Sequence, residues 1–278
     1  MQNRRNIGIA HYMLISLFRT ADSAKRTFKR IKELGIDYFD VGAMWTQRKT
    51  EYLGTDFEIE YDYNWPEWIA EAGLKTSSLL CRFDDIRLDP GYFIDMANAY
   101  QTDYIGSSSY DNLVYRDRGA LDEYIREMNE IGRLYRKHGK YFYFHNHSLE
   151  FLKVDGLSET VMSYLLEHVD RDVVKLAFDP AWAQFSGADP LAYMRRAEGC
   201  FKILHLNDCG LSETDPKLLP DRMYERVLGE GNLELPAILD EADRQNAAFC
   251  ILEMHSNYKN NDRLLSAELC MKYLTEKV

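Results

Sequence analysis

Three side chains that can bind a metal ion lie close together in the segment 144–151, which reads FHNHSLEF. They are His145, His147 and Glu150, and they follow the aromatic and apolar run 141–144. A single histidine in such a place would more often hydrogen-bond to nearby backbone at the end of a strand. The segment therefore indicates a functional site only if other strands end with residues of the same kind.

Three further segments meet that condition. KLAFDP ends a predicted strand with Asp179, ILHLND ends another with His205, and CILEMH ends the last with Glu253. Because side chains alternate between the two faces of a strand, we expect all three to point to the same side as the small or apolar residue two positions earlier. Two carboxylates and an imidazole that converge would repel or desolvate one another unless a cation lay between them. Ligands of these types suit Mn, Co, Zn or Mg, and a hydrogen-bonded polar layer without metal is the alternative.

Eight short apolar segments that are typical of β-strands alternate with longer segments of helical period. The strands are predicted at 6–12, 37–42, 76–82, 103–108, 141–146, 173–179, 201–207 and 248–254. The clearest helix is predicted at 120–138, where apolar residues form one stripe before Gly139. Strands joined by helices pair in parallel, so we predict one α/β domain over residues 1–278, a closed (β/α)8 TIM barrel.

The alternative fold is a doubly wound open sheet, which usually has a glycine-rich phosphate turn after its first strand. Here the corresponding segment, GIAHYMLIS, offers His11 and Tyr12 instead. The barrel is therefore favoured, and His11 becomes a candidate for substrate contact. In a TIM barrel, functional residues lie at the carboxyl ends of the strands, which is where the metal-capable residues stand in this sequence.

Composition and charge exclude several classes of protein. The chain has 278 residues, of which 46% are hydrophobic and 28% charged, as is ordinary for a soluble globular domain. Its net charge of -11 disfavours nucleic acid as a partner. No run of about 18 apolar residues and no signal-peptide cleavage site is found, so we expect a cytoplasmic protein with no membrane partner. The five cysteines are widely spaced without a CxxC pair, which disfavours both disulfides and a zinc-thiolate site.

The chain resembles the xylose isomerase-like TIM barrel family, which includes sugar isomerases and epimerases, inosose dehydratases and family-2 abasic-site endonucleases. The resemblance covers nearly the whole chain and rests on four segments: HNHSLEF, LAFDPAWAQFSGADP, ILHLND and GEGNLELPAILDEADRQNAAFCILEMH. It implies one divalent metal ion held by a Glu from strand 5 together with Asp179, His205 and Glu253.

Two positions depart from the family pattern. Members often carry a His three residues after the strand 6 Asp, where this chain has Trp182, and this departure counts against a multinuclear zinc site and DNA repair. The family also commonly places its Glu directly at the end of strand 5, where this chain has His145. Either Glu150 reaches back to the metal, or His145 is the metal ligand from strand 5. We favour Glu150. The competing interpretation of Glu150 is that it caps the following helix. The residues predicted for substrate or supporting contacts are His11, His145, Asn146, His147, Trp182 and Asn207.

The resemblance also implies a mechanism. In these barrels the metal polarises a carbonyl, so that a carboxylate can remove a proton from the adjacent carbon. Glu150 and Glu253 would be the paired acid and base. We therefore predict a metal-dependent sugar isomerase or epimerase. The alternatives are a lyase that dehydrates an inosose or a 3-keto-glycoside, and a non-catalytic carbohydrate-binding barrel.

The long segment 44–65 after strand 2 bears on the substrate. Its acidic residues would repel a phosphate, and its aromatic residues could stack on sugar faces, which favours a neutral carbohydrate. The aromatic residues are Trp45, Tyr52, Phe57, Tyr61, Tyr63 and Trp65. An oligomer contact or a solvated flap is the alternative, and the sequence does not distinguish a monomer from a homo-oligomer. Arg82, Arg116 and Arg118 could still bind a carboxylate, so an acidic sugar is also possible as the substrate.

Overall fold

The structure, a computed structural model, describes residues 5–42, 49–52, 55–58, 64–108, 115–211 and 224–276, with only the backbone described in 49–52 and 55–58. Within these ranges no helix is both long and apolar enough to cross a membrane.

Eight parallel strands close into a barrel, in which the first strand pairs with both the second and the eighth. The barrel strands are Ile7–Ala10, Tyr38–Gly42, Lys75–Cys81, Tyr104–Ser107, Tyr141–His145, Val174–Phe178, Phe201–Leu206 and Phe249–Leu252. The predicted (β/α)8 TIM barrel is confirmed. Each predicted strand is present, and no strand end differs from the prediction by more than two residues.

Helices follow the strands along the outside of the barrel. They span His11–Leu14, Ala21–Glu33, Trp65–Glu71, Phe83–Leu88, Pro90–Ala99, Arg118–Lys137, Val161–His168, Pro180–Phe185, Pro190–Arg196, Leu235–Arg244 and Arg263–Glu276. The helix predicted at 120–138 is confirmed: Asp117 caps its start by accepting from the Ala120 N–H at 2.7 Å, and Gly139 follows its end with a φ of +72°.

Two short antiparallel pairs lie outside the barrel. Lys49–Tyr52 pairs with Thr55–Glu58, and Asp208–Cys209 pairs with Glu225–Arg226. The second pair brings a distant part of the chain to the end of the seventh barrel strand, beside the residues that are discussed below.

The inside of the barrel holds a small apolar cluster that is separate from the larger core between strands and helices. Gly8 and Gly106 leave room for it, since a Cβ at either position would lie 2.5 Å from a side-chain atom of Ile251 or Tyr143 respectively. The cluster consists of Ala10, Leu80, Tyr143, Ala177, Ile203 and Ile251. Asp179, His205 and Glu253 each follow one of its members by two positions, as the alternation predicted.

Candidate metal centre

Three buried side chains meet at the carboxyl ends of the strands. One potential ligand atom from each of His145, His205 and Glu253 lies within 4.8 Å of those of the other two. The Nδ1 atom of His205 lies 2.5 Å from Oε2 of Glu253, and the two imidazole rings have centroids 4.3 Å apart. These residues come from the fifth and seventh strands and from the position directly after the eighth, so the barrel itself brings them together.

Two imidazole nitrogens in this cluster lack a hydrogen-bond partner among the described residues: Nδ1 of His145 and Nε2 of His205. Buried polar atoms are nearly always partnered in folded proteins, because an unsatisfied one costs about 1–3 kcal/mol. Two imidazoles and a carboxylate are suitable ligands for a divalent transition metal. The residues present therefore fit the divalent ion that the sequence implied, with His145 rather than Glu150 in the strand 5 position.

Asp179 lies directly after the sixth strand and is completely buried. Its Oδ1 atom caps the helix Pro180–Phe185, accepting from the N–H groups of Ala181 at 2.8 Å and Trp182 at 3.3 Å. Burial, with the negative charge of Glu253, raises the pKa of Asp179 to about 7. Within the described residues the remaining oxygen, Oδ2, accepts only a long bond of 3.4 Å, from the amide of Asn207. This oxygen is the part of Asp179 that a cation could use.

Asn146 and Asn207 support Asp179. The Asn146 amide donates to the Asp179 carbonyl oxygen at 3.1 Å and accepts from the Asp179 N–H at 3.0 Å. Asn146, which we predicted for a substrate or supporting contact, thus joins the ends of the fifth and sixth strands. The Oδ1 atom of Asn207 is buried and has no hydrogen-bond partner in the described structure, so it can accept from a ligand.

Glu150 lies in the short 3₁₀ helix Leu149–Phe151, where its Oε2 atom accepts from the backbone N–H of His147 at 2.8 Å. Burial raises the pKa of Glu150 to about 7, against hydrogen bonds from the backbone and from Tyr115. The 3₁₀ turn thus directs the carboxylate to the backbone of the loop that precedes it. Of the two alternatives for the strand 5 ligand, the structure places His145 in the described cluster and leaves Glu150 outside it.

His11 lies in the hydrophobic core, so the prediction that it contacts the substrate is wrong. The first strand ends at Ala10, and His11 begins a short helix instead of continuing the strand. Its ring packs against Phe18 and Trp65, with centroids 5.1 and 4.7 Å away. Burial lowers the pKa of His11 to about 3. An imidazole that is 1% exposed inside an aromatic cluster is not available to a substrate.

The predicted sugar-stacking segment 44–65 lies mostly outside the described residues. Of its aromatic side chains only that of Trp65 is described, and it is completely buried in the core, so its predicted contact with a sugar is wrong. Arg116 and Arg118 are exposed and pair with Asp155 at 2.5 Å and Asp122 at 3.8 Å.

His147 and Trp182 form a wall beside the cluster together with His255. The Trp182 ring packs against both imidazoles, with centroids 5.4 Å from His147 and 5.6 Å from His255. Tyr12 packs on the other side of His255 at 4.7 Å. The indole nitrogen of Trp182 is buried and has no acceptor within the described residues, so this wall can donate a hydrogen bond to a ligand.

Glu225 fixes the position of His255. Its buried carboxylate accepts from Nδ1 of His255 at 2.7 Å, from the His255 N–H and from the Ser256 hydroxyl at 2.8 Å. Burial alone would lower the pKa of His255, but this hydrogen bond and the neighbouring carboxylates raise it to about 9. The other ring nitrogen, Nε2, lies 3.7 Å from Oε1 of Glu253. In the metal-free protein the contact with Glu225 therefore favours the protonated form of His255, beside the metal-capable cluster.

Comparisons with known proteins agree with the barrel fold. The family model described as xylose isomerase-like TIM barrel matches residues 93–273. The chain belongs to this family. No curated protein sequence matches it significantly.

Solved structures with a similar fold cover the whole xylose isomerase-like barrel. A sugar phosphate isomerase/epimerase from Parabacteroides distasonis has a TM-score of 0.75 and 18% identity, over 99% of this chain and 95% of that one. The probable 3-DHS dehydratase AsbF from Bacillus anthracis has a TM-score of 0.72 and 14% identity, over 98% and 100%. The IOLI protein, solved with a zinc atom, has a TM-score of 0.72 and 13% identity, over 98% and 97%. At these identities the likeness concerns the fold.

Two residues of the candidate site, Glu225 and His255, were missed by the sequence reasoning, and so was the buried Asp40 of the second strand. His255 follows Glu253 by two positions, so the alternation that pointed to Glu253 could have found it. Asp40 could have been noticed because it is an acidic residue within the predicted strand 37–42. Glu225 gave no signal, because it reaches the site through a short strand pairing that the sequence pattern does not predict.

Proposed function

We propose that this protein is a divalent-metal-dependent sugar isomerase or epimerase that removes a proton from the carbon next to a substrate carbonyl. The observation that carries the proposal is the buried cluster of His145, His205 and Glu253, with two unpartnered imidazole nitrogens at the barrel mouth. Membership of the xylose isomerase-like family supports it, as does the sugar phosphate isomerase/epimerase among the similar structures.

We propose His145, Asp179, His205 and Glu253 as the ligands. Two imidazoles favour zinc, cobalt or manganese over magnesium, which prefers oxygen ligands. When bound there, the ion would supply the Lewis acidity that makes a C–H group beside a carbonyl more acidic. The surrounding side chains orient the substrate: the Asn207 Oδ1 atom accepts from a hydroxyl group, and the Trp182 indole donates to one.

Glu253 and Glu150 are the proposed proton carriers. Glu253 lies in the cluster, so its carboxylate would face the carbon from the side of the eighth strand. Glu150 is buried, and its pKa of about 7 suits a group that must accept and return a proton near neutral pH. Its role requires that the carboxylate leave the His147 N–H when substrate binds.

Dehydration of an inosose or a 3-keto-glycoside is the second candidate function. Loss of a hydroxyl group needs an acid as well as a base, and His255, with a pKa of about 9, is a protonated acid within 3.7 Å of Glu253. The probable dehydratase from Bacillus anthracis, which is similar over its whole length, supports this candidate.

The test is a proton-exchange screen in deuterated water with keto-sugars, inososes and 3-keto-glycosides, after loading the protein with zinc, manganese or cobalt. Deuterium at a carbon next to the carbonyl, detected by NMR, is the expected result. Exchange with inversion identifies an epimerase, and exchange with loss of water identifies a dehydratase. A protein that binds none of these metals and exchanges no proton across the panel would instead be a non-catalytic barrel.

A further inference from the structure

Asp40, in the second strand, is a buried carboxylate that the proposed chemistry does not use. It is 2% exposed, and its register partner on the first strand is Ala10, a member of the apolar cluster inside the barrel. Its Oδ1 atom accepts from the hydroxyls of Ser77, at 3.2 Å, and Ser78. The Ser78 hydroxyl also lies 3.1 Å from that of Tyr143 on the fifth strand. Asp40 is therefore held by a hydroxyl chain across the interior of the barrel.

A β-bulge makes this chain possible. Phe39 pairs with Thr76, and Val41 pairs with Leu79. One residue of the second strand therefore lies opposite two residues of the third strand. In a regular strand the consecutive residues Ser77 and Ser78 would point to opposite faces. The extra residue lets both hydroxyls reach one carboxylate, which is the kind of re-aiming that bulges provide next to functional sites.

The carboxylate is costly for the metal-free protein. Within the described residues Asp40 receives only neutral hydroxyl donors, and no Lys or Arg forms an ion pair with it. Burial raises the pKa of Asp40 to about 6, and the charge of His205 opposes this shift while that of Glu253 adds to it. The apolar cluster inside the barrel contains Ala10, the register partner of Asp40, and also Ile203 and Ile251, which lie two positions before His205 and Glu253. Asp40 and these two metal-capable residues therefore share the interior of the barrel. A buried carboxylate without an ion-pair partner normally destabilises a fold. The nearby charge of His205 is paired with Glu253, so an additional cation bound in the His145, His205 and Glu253 cluster would stabilise the carboxylate of Asp40.

We propose that Asp40 is a positioning residue for the metal centre: its carboxylate raises the affinity of the His145, His205 and Glu253 cluster for a divalent cation, at a cost to the metal-free fold. This inference rests on the proposed metal-dependent function. Outer groups that hydrogen-bond to metal ligands typically change metal affinity by about 10- to 100-fold, and we expect the buried charge of Asp40 to act in the same range through the electrostatic field inside the barrel.

The test is the substitution Asp40→Asn, which keeps an oxygen that can accept from the two serines and removes the charge. Zinc affinity is measured by calorimetric titration against a competing chelator, and thermal unfolding is measured on the metal-free protein. We expect the zinc Kd to rise about 10- to 100-fold. We also expect the metal-free variant to unfold at the same or a higher temperature than the original chain, because no charge is buried in it.

Two further variants keep the result interpretable. Ser78→Ala retains the carboxylate but removes one donor that holds it, and we expect its zinc Kd to rise about fivefold, as for the loss of one hydrogen bond. Asp95→Asn removes the same charge from the exposed surface of the helix Pro90–Ala99 and should leave both measurements unchanged.

Two results would overturn the inference: a zinc Kd within twofold of the original value in Asp40→Asn, or a clearly lower unfolding temperature of that variant without metal. The second result would make Asp40 a purely structural residue. If the original chain takes up neither zinc nor manganese, the proposed function fails together with this inference. If it takes up metal and Asp40→Asn does so equally well, only the inference about Asp40 fails.

Discussion

Replacement of Glu253 by Gln is the most direct perturbation of the candidate metal centre. Glu253 and His205 form a buried pair, with side chains 4% and 0% exposed and the Nδ1 to Oε2 distance at 2.5 Å. Burial alone would raise the pKa of Glu253 and lower that of His205. Their mutual attraction outweighs burial, so the pKa of Glu253 is lowered and that of His205 is raised. The substitution removes this attraction and one proposed metal ligand at the same time.

The expected loss of stability follows from the geometry of the pair. Removing one partner of a buried ion pair costs about 3–5 kcal/mol. The Gln amide oxygen can still accept from the imidazole N–H, which retains about 1 kcal/mol. We therefore expect the metal-free variant to lose about 2–4 kcal/mol, or about 4–16 °C in melting temperature for a domain of this size.

The loss should depend on pH. The lowered pKa of Glu253 contributes stability above its unfolded value of 4.5, and the raised pKa of His205 contributes stability below its unfolded value of 6.5. The pair is therefore most stabilising between these two values, and its contribution fades as the pH rises through the raised pKa of His205. His255, whose Nε2 atom lies 3.7 Å from Oε1 of Glu253 and whose pKa is raised to about 9, retains part of the attraction up to that pH. The difference between the two proteins should be greatest at about pH 5.5 and smaller at about pH 8.5.

Circular dichroism melting of chelator-treated protein at several pH values measures this difference. Glu71→Gln, at an exposed helix position, is the matched control and should melt like the original chain. A difference of less than about 1 kcal/mol at the lower pH, or one that grows as the pH rises, would refute the assignment of a buried ion pair.

Three more predictions concern the same site. The variant Glu150→Gln keeps an acceptor for the His147 N–H. If Glu150 only holds its loop, turnover of the variant should be nearly unchanged. If Glu150 carries a proton, as we propose, turnover should fall about 10²- to 10⁴-fold while the metal content stays the same. His145→Ala should take up less than stoichiometric zinc by elemental analysis, while Glu150→Gln should take up as much as the original chain; the opposite pattern would return the strand 5 ligand to Glu150. Zinc binding at the unpartnered Nε2 atom of His205 should displace the proton that the protonated imidazole carries there, while Nδ1 keeps its contact with Glu253. Calorimetry in buffers of different ionisation enthalpy should detect the released proton, and zinc affinity should fall with falling pH.

The barrel and three of the metal-capable residues could be predicted because the signals are local. Strand alternation needs only the neighbouring residues, and it fixed the facing of Asp179, His205 and Glu253. The same rule failed where a strand ended earlier than its apolar run, as at Ala10, so that His11 turned into the core. It also gave no direction for Glu150, which lies in a 3₁₀ turn beyond the strand.

Contacts between distant segments could not be predicted from such signals. The carboxylate of Asp40 depends on a bulge in another strand, which leaves no mark in the spacing of polar and apolar residues. Glu225 and His255 are 30 positions apart, and only the folded chain shows that they meet. The sequence therefore predicted the architecture and the chemical type of the site, while the charges that surround its ligands required the structure.

The paired hydrogen bonds between Asn146 and the backbone of Asp179 have a consequence for kinetics. They continue the pairing of the fifth and sixth strands beyond the last ladder residues, His145 and Ala177, so the ends of the two strands move as one unit. Two proposed ligands are thus preorganised before any ion arrives. Metal uptake should then occur without a change in far-ultraviolet circular dichroism, and the Asp179 amide should exchange its hydrogen only in rare openings of the barrel.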